Sequence, residues 1–166
     1  MQETIRAARE DDLTRLTEIY NHYVVEGPVT FDVRPYTVEE RRHWLGQFAA
    51  TGPQRLLVLE QQGIVRGYAA SLRFRAKPAY ETSVESTIYL APGRGGSGAG
   101  ARLYGALFEA LRGEDLHRAY GGITLPNEAS IRLHERLGFS RIGVYREVGR
   151  KLGRYWDVAW YEKALP

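Results

Sequence analysis

The chain has 166 residues, 43% of them hydrophobic and 26% charged, the balance of one folded domain able to bury its own core. It contains no cysteine, which excludes disulfide scaffolds, zinc sites built on thiolates and a thiol nucleophile. The net charge is only +3, and 20 of the 23 basic residues are arginine; such forks suit carboxylate and phosphate ligands, but they are dispersed rather than packed into the dense basic patch of a nucleic-acid binder. No apolar run approaches the roughly 20 residues of a membrane helix, and the segment from Met1 to Asp12 is polar and mixed in charge, unlike a secretory signal. The expectation is a single cytoplasmic domain over residues 1–166, with no membrane or nucleic-acid partner.

In chain order, residues 5–8 read as a short strand. Asp11 or Asp12 can cap the next helix, in which Leu13, Leu16, Ile19, Tyr20 and Tyr23 recur every three or four residues and Gly27-Pro28 end the run. Thr37 and Glu40 form a capping box for a second helix, predicted to run through Phe48 to Ala50 before Gly52-Pro53. Residues 55–60 and 65–72 are strands around a tight turn at Gln61-Gln62-Gly63, which makes a hairpin. A polar, basic connection over 73–82 leads to a strand at 84–90, rich in β-branched residues. A helix at 98–111, a strand at 120–125, a helix at 127–137 and strands at 139–148 and 156–163 follow, the last two joined by a loop over 149–153. The order β-α-α-β-β-β-α-β-α-β-β predicts an α/β domain around one mixed central sheet.

Between the strand at 84–90 and the helix at 98–111, five of the eight residues from Gly93 to Gly100 are glycine. Bare amides at a helix N-terminus form an anion site, and a diphosphate suits it. The string Gly93-x-Gly95-x-x-Gly98 matches a dinucleotide fingerprint, but that motif belongs in the first βα turn of a parallel unit, and here a hairpin and more than 90 residues precede it. The absence of G-K-[ST] argues against a P-loop nucleotidase. Strand alternation places Val84, Ser86 and Ile88 on one face, with Glu85, Thr87 and Tyr89 on the other. Glu85 is thus a carboxylate inside an otherwise uncharged strand, costly unless it is solvated or used.

The glycine loop, followed by Asn127-x-x-Ser130-x-x-Leu133-His134-Glu135-x-Leu137-Gly138-Phe139, resembles the GCN5-related N-acetyltransferase superfamily. The likeness extends to its phosphinothricin N-acetyltransferase subfamily through Ile19-Tyr20-Asn21-His22-Tyr23, Phe31, Ala79-Tyr80, Val84-Glu85-Ser86-Thr87-Ile88-Tyr89, Leu125-Pro126-Asn127 and Gly149-x-Lys151-x-Gly153-x-x-x-Asp157-Val158. It runs over nearly the whole chain. One departure stands out: the position that is usually Gln or Arg in the superfamily loop is Gly95, with Arg94 one residue earlier. Either Arg94 covers the phosphates or carrier binding is weakened.

The resemblance implies a sheet whose fourth and fifth strands splay apart, acetyl coenzyme A in the opening, no metal, and a homodimer. It implies a cofactor site of Ile88, Tyr89, Leu90, Arg94, Gly95, Gly96, Ser97, Gly98, Ala99, Gly100, Asn127 and Ser130. Glu85 is implied as general base, directly or through water, and His134 as a proton donor to sulfur or a substrate contact. Phe31, Arg75, Lys77, Tyr80, Tyr89, Tyr104 and His134 are implied at the acceptor. A bulge near the end of the strand at 84–90 is expected to bare a polarising amide, and the 149–157 stretch to approach the active site of the same or the partner subunit. The implied reaction is direct acetyl transfer to a small amino-acid-like amine such as phosphinothricin or methionine sulfoximine. The alternatives are a polyamine, antibiotic or protein N-terminus as acceptor, or a non-catalytic coenzyme sensor. The basic Arg73, Arg75 and Lys77 argue against a cationic acceptor, and Glu85 argues against a sensor.

Overall fold

The computed structural model describes residues 3–93 and 95–166. Among these residues seven strands, β1 (Glu3–Ala7), β2 (Leu56–Gln61), β3 (Ile64–Arg73), β4 (Ser83–Leu90), β5 (Arg118–Thr124), β6 (Ser140–Lys151) and β7 (Arg154–Ala164), form one sheet in the order β1-β2-β3-β4-β5-β7-β6. Four helices, α1 (Leu13–Glu26), α2 (Val38–Leu45), α3 (Ala99–Ala110) and α4 (Glu128–Arg136), complete the order read from the sequence. Neighbouring strands are antiparallel except β4 and β5, which are connected through α3, the helical crossover a parallel pair requires.

Local chemistry explains most boundaries. Glu40 N donates to Thr37 Oγ1 at 3.2 Å and Thr37 N donates to the Glu40 carboxylate at 2.7 Å, closing the capping box of α2. That helix ends at Leu45, short of the expected 50, because the amides of Gln47 and Phe48 bond the carbonyls three residues back, which tightens the chain out of α geometry. Asp12 precedes α1 but does not cap it. Its carboxylate is taken by the Arg6 guanidinium at 2.8 and 2.9 Å and by the Arg9 amide at 2.8 Å. The β2–β3 turn is a two-residue Gln62-Gly63 hairpin with φ of 54° and 74°, the primed geometry that matches strand twist. The predicted loop over 149–153 is instead ladder: Gly149 pairs with Trp156 and Lys151 with Arg154, leaving a two-residue turn at Leu152-Gly153. Glycine and consecutive charges at an edge strand hid that extension from the sequence pattern.

Two apolar layers hold the sheet. On one face Leu59, Ala69, Val84, Ala119, Ile123, Ala159 and Tyr161 pack under Leu103, Tyr104 and Leu107 of α3, with Ile131 and Leu133 of α4 against them. On the other, Leu56, Val58, Tyr68 and Ala70 pack against Leu16 and Ile19 of α1 and Trp44 of α2. Burial of this apolar area is the main stabilising term.

The predicted splay is present. β4 and β5 pair only at Ser83–Arg118, Val84–Ala119 and Glu85–Tyr120. Beyond Glu85, β4 continues beside β3 to Leu90 and β5 beside β7 to Thr124. The imidazole of His134 fills the base of the wedge against Gly121, where a Cβ would stand 2.9 Å from Nε2.

Candidate active site

The splay opens a cleft of about 690 Å³. Ile88, Tyr89 and Leu90 of β4 form one wall, Gly95, Gly96, Gly98 and Gly100 another, and Asn127, Ser130 and Leu133 of α4 a third. Gly98, with φ of +74°, is the left-handed N-cap of α3. At Gly95 and Gly96 an added Cβ would meet nothing within 4 Å, so the backbone faces open space. Unobstructed amides ahead of a twelve-residue helix fit a diphosphate. Gly100 serves packing as well, since a Cβ there would lie 3.4 Å from Leu133 of α4. Ser97 and Ala99 belong to the same turn without lining the cleft; Ala99 N donates to Ser97 Oγ at 3.4 Å. Arg94 lies outside the described residues. Asn127 both lines the cleft and caps α4, accepting from Ser130 N at 3.1 Å.

The expected bulge in β4 is absent: its register with β3 is regular from Val84 to Leu90. Free amides arise differently. Ala91 N donates to Arg66 O, so antiparallel alternation turns the amides of Ile88 and Leu90 toward the side from which β5 has departed.

On the α1–α2 face of the sheet, Glu85 occupies the last paired rung before the splay. Burial pushes its carboxyl above the ordinary 4.5, and Arg75 opposes that rise. Arg75 lies over the Phe74 ring at 4.8 Å, Phe74 stacks on Tyr120 at 4.4 Å, and Tyr80 meets Phe74 edge-on at 5.8 Å. The aromatic stack folds the 73–82 connection back onto the rung of Glu85. Arg73 braces it through the carbonyls of Arg75 and Ala76. Lys77 is exposed at the start of the short turn Pro78–Tyr80 and is not drawn into this stack. Tyr89 packs against Tyr20, Tyr23 and Tyr68 at 5.3 to 5.4 Å, and burial pushes its hydroxyl up to about 12. Tyr23 Oη donates to Leu90 O at 2.6 Å. Phe31, in the segment between α1 and α2, lies against the backbone of Gly149.

Tyr104 and His134 are 0% and 4% exposed and form a layer beneath the splay rather than a wall of the cleft. His134 Nδ1 donates to the Ser130 carbonyl at 2.8 Å, which assigns Nε2 as acceptor for the Tyr104 hydroxyl at 3.3 Å. Ser86 Oγ completes the chain, 2.7 Å from Tyr104 Oη. Burial lowers the His134 pKa and raises that of Tyr104, so both are neutral near pH 7.

Several site residues escaped the sequence reading: Tyr23, Val29, Arg132 and Arg136 line the cleft, and Phe74 and Tyr120 stack behind Arg75. Arg132 and Arg136 were within reach of a pattern argument, being four apart on one helix face. Among the described residues no group of three or more His, Asp or Glu could hold a metal ion, and no helix is long and apolar enough to cross a membrane.

The acetyltransferase (GNAT) domain family matches residues 5–160. A phosphinothricin N-acetyltransferase of Streptomyces coelicolor is 61% identical over 97% of this chain and 95% of its own. An L-methionine sulfoximine/L-methionine sulfone acetyltransferase of Salmonella typhimurium is 34% identical over 98% and 94%. Among solved structures, an acetyltransferase from Salmonella typhimurium with its cofactor acetyl-CoA superposes with a TM-score of 0.95 at 33% identity, covering 100% of this chain and 95% of that one. A phosphinothricin acetyltransferase from Sinorhizobium meliloti in complex with acetyl-CoA gives 0.90 at 32% identity, covering 99% and 89%. The splayed sheet, the glycine-lined cleft and these likenesses agree, and the chain belongs to the GNAT family as an acetyl-CoA-dependent N-acetyltransferase.

Proposed function

We propose that the acceptor is a small, anionic, amino-acid-like amine of the phosphinothricin or methionine sulfoximine type, with Glu85 as the base. The observation that carries this reading is a half-buried carboxylate, Glu85, on the last rung before the strands part, with the Arg75 charge near enough to oppose the rise that burial gives its pKa. Arg75 and the exposed Lys77 offer cations to a carboxylate and to a second anionic arm, and Tyr80, Tyr89 and Phe31 supply walls. The relatives named for phosphinothricin and methionine sulfoximine support the same class.

Acetyl-CoA, when bound, supplies the acetyl group as a thioester, with the glycine loop and Asn127 holding the carrier. Glu85 takes the proton from the acceptor ammonium, freeing the nitrogen lone pair to attack the thioester carbon. The amides of Ile88 and Leu90 are the donors on that edge for the developing negative oxygen. As the carbon–nitrogen bond forms the carbon–sulfur bond breaks, and the nitrogen sheds its second proton, which neutralises the leaving sulfur; Tyr104, kept protonated by burial and hydrogen-bonded to neutral His134, forms the floor beneath the splay. The products are the N-acetyl amide and free coenzyme A.

We further infer a homodimer, supported by the large apolar side chains Ile142, Tyr145, Val148 and Tyr155 that β6 and β7 leave exposed. Light scattering at twice the chain mass is the expected result, and a monomer at micromolar concentration overturns it. For the acceptor, coenzyme A release is followed by thiol titration with phosphinothricin, methionine sulfoximine, methionine sulfone, spermidine, an aminoglycoside and the standard amino acids. Saturable release with the first three is expected. Turnover only with spermidine or the aminoglycoside refutes the anionic-acceptor reading.

A further inference from the structure

We infer that the tip of the β6–β7 hairpin is a positioning device for the acceptor pocket, in which Gly149 and Lys151 fix Phe31 and the segment that carries it. The inference rests on the proposed role of Phe31 as an acceptor wall.

Residues 27–37 join α1 to α2 without helix or strand. The segment places Val29 in the cleft lining and Phe31 two residues further on. Left alone, such a stretch would sample many conformations. Two anchors come from α1 itself. Asn21 Nδ2 donates to Tyr36 O at 2.8 Å, and its Oδ1 accepts from Tyr36 N at 2.9 Å. The Tyr20 hydroxyl meets Thr30 Oγ1 at 2.8 Å and the Asp32 carboxylate.

The third anchor arrives from the far end of the sequence. Lys151 is 5% exposed, and its Nζ donates to Thr30 O at 2.7 Å and to Tyr23 O at 3.4 Å. An ammonium buried on two carbonyls is costly, and a neutral residue would avoid that cost; what the charge secures is the join between the end of α1 and the Phe31 segment. Two residues earlier on the same strand, Gly149 receives the Phe31 ring. A Cβ at Gly149 would fall within 2.5 Å of Phe31 Cδ2 and Cζ and closer still to Cε2. Gly149 has no positive φ, so glycine is needed here for the ring and not for the backbone. Two positions on β6 thus hold two consecutive residues, Thr30 by its carbonyl and Phe31 by its ring. The tip itself is paired: after a break in register between Tyr145 and Gly149 the ladder resumes from Gly149–Trp156 to Lys151–Arg154, and Trp156 Nε1 donates to Lys151 O at 2.8 Å.

The test is a kinetic double-mutant cycle on Gly149→Ala and Phe31→Leu, with phosphinothricin and methionine sulfoximine as acceptors and the KM for acetyl-CoA measured in parallel. Gly149→Ala is expected to raise the acceptor KM about tenfold, inside the roughly 10²-fold that a misplacement of about 1 Å can cost, with the acetyl-CoA KM within twofold of wild type. Phe31→Leu raises the acceptor KM by itself, and Gly149→Ala then adds less than twofold, because the smaller side chain vacates the space the new Cβ needs. That double variant also guards against a folding defect in Gly149→Ala alone. Lys151→Met shows the same split, acceptor KM raised and carrier KM unchanged. If Phe31→Leu leaves the acceptor KM unchanged, or neither acceptor is turned over by the wild type, the acceptor-wall reading has failed and the inference falls with it. If Phe31→Leu raises the KM but Gly149→Ala acts equally in both backgrounds, acts less than twofold in either, or moves the carrier KM in step, the positioning role is wrong while the acceptor reading stands.

Discussion

Glu85 is half-buried and His134 buried, and loss of solvent moves their proton equilibria in opposite directions because it disfavours whichever form is charged. For Glu85 the charged form is the carboxylate, so its pKa rises above 4.5, with Arg75 pulling it part of the way back. The acid limb of kcat/KM is therefore expected above pH 4.5. Glu85→Gln should erase that limb and lower kcat by about 10²-fold, the usual worth of a general base, while calorimetry shows acetyl-CoA binding unchanged. An unaltered limb in the variant removes Glu85 from the mechanism. For His134 the charged form is imidazolium, so its pKa falls below 6.5. The unfolded chain then binds the proton first as pH drops. Its contribution to stability is complete above the unfolded value of 6.5 and is lost as pH falls through the lower folded value. Denaturation midpoints measured between about pH 8 and 5 should decline with a steeper slope in wild type than in His134→Gln; equal slopes contradict a buried neutral imidazole.

The glycine loop and α3 work as one element. The loop was plain in the sequence because its five glycines fall within eight residues and their chemistry is local. At Gly98 the requirement is double: φ is +74°, and a Cβ would meet Arg102 Nη1 at 3.1 Å. Gly98→Val should impose about 1–2 kcal/mol of backbone strain, the left-handed penalty for a side chain. It should also abolish detectable acetyl-CoA binding in calorimetry while the chain stays folded by circular dichroism; retained tight binding overturns the loop assignment. Other elements were less legible. Thr37 and Glu40 announce the α2 capping box, but the pattern runs on to 50, since nothing in it distinguishes α geometry from the tightened turn that follows Leu45. The predicted bulge in β4 came from family likeness, and the regular β3–β4 register replaces it with amides freed by the departure of β5.

At the level of the molecule, the site exists because two halves of a sheet part. Glu85 and Tyr120 are the last paired rung, and Gly121 follows with His134 pressed against it. Gly121→Ala should push that imidazole out of the wedge, costing about 1–3 kcal/mol as overpacking does and lowering kcat through displacement of Tyr104. Unfolding midpoints and turnover check it together; a variant with wild-type stability and rate shows that the wedge does not set the splay. The sequence by itself determined the order of elements, the glycine-rich turn ahead of α3 and the placement of Glu85 on the face opposite Val84 and Ser86. Each of these depends on residues within a turn or a strand of one another, where periodicity and capping chemistry act. Only the tertiary structure decided that Phe74, beneath Arg75, stacks on Tyr120, the rung partner of Glu85, that His134 lies buried behind Tyr104, and that Gly149 and Lys151 meet a segment more than 100 residues earlier. Those relations are set by packing across the sheet, which a one-dimensional pattern does not carry.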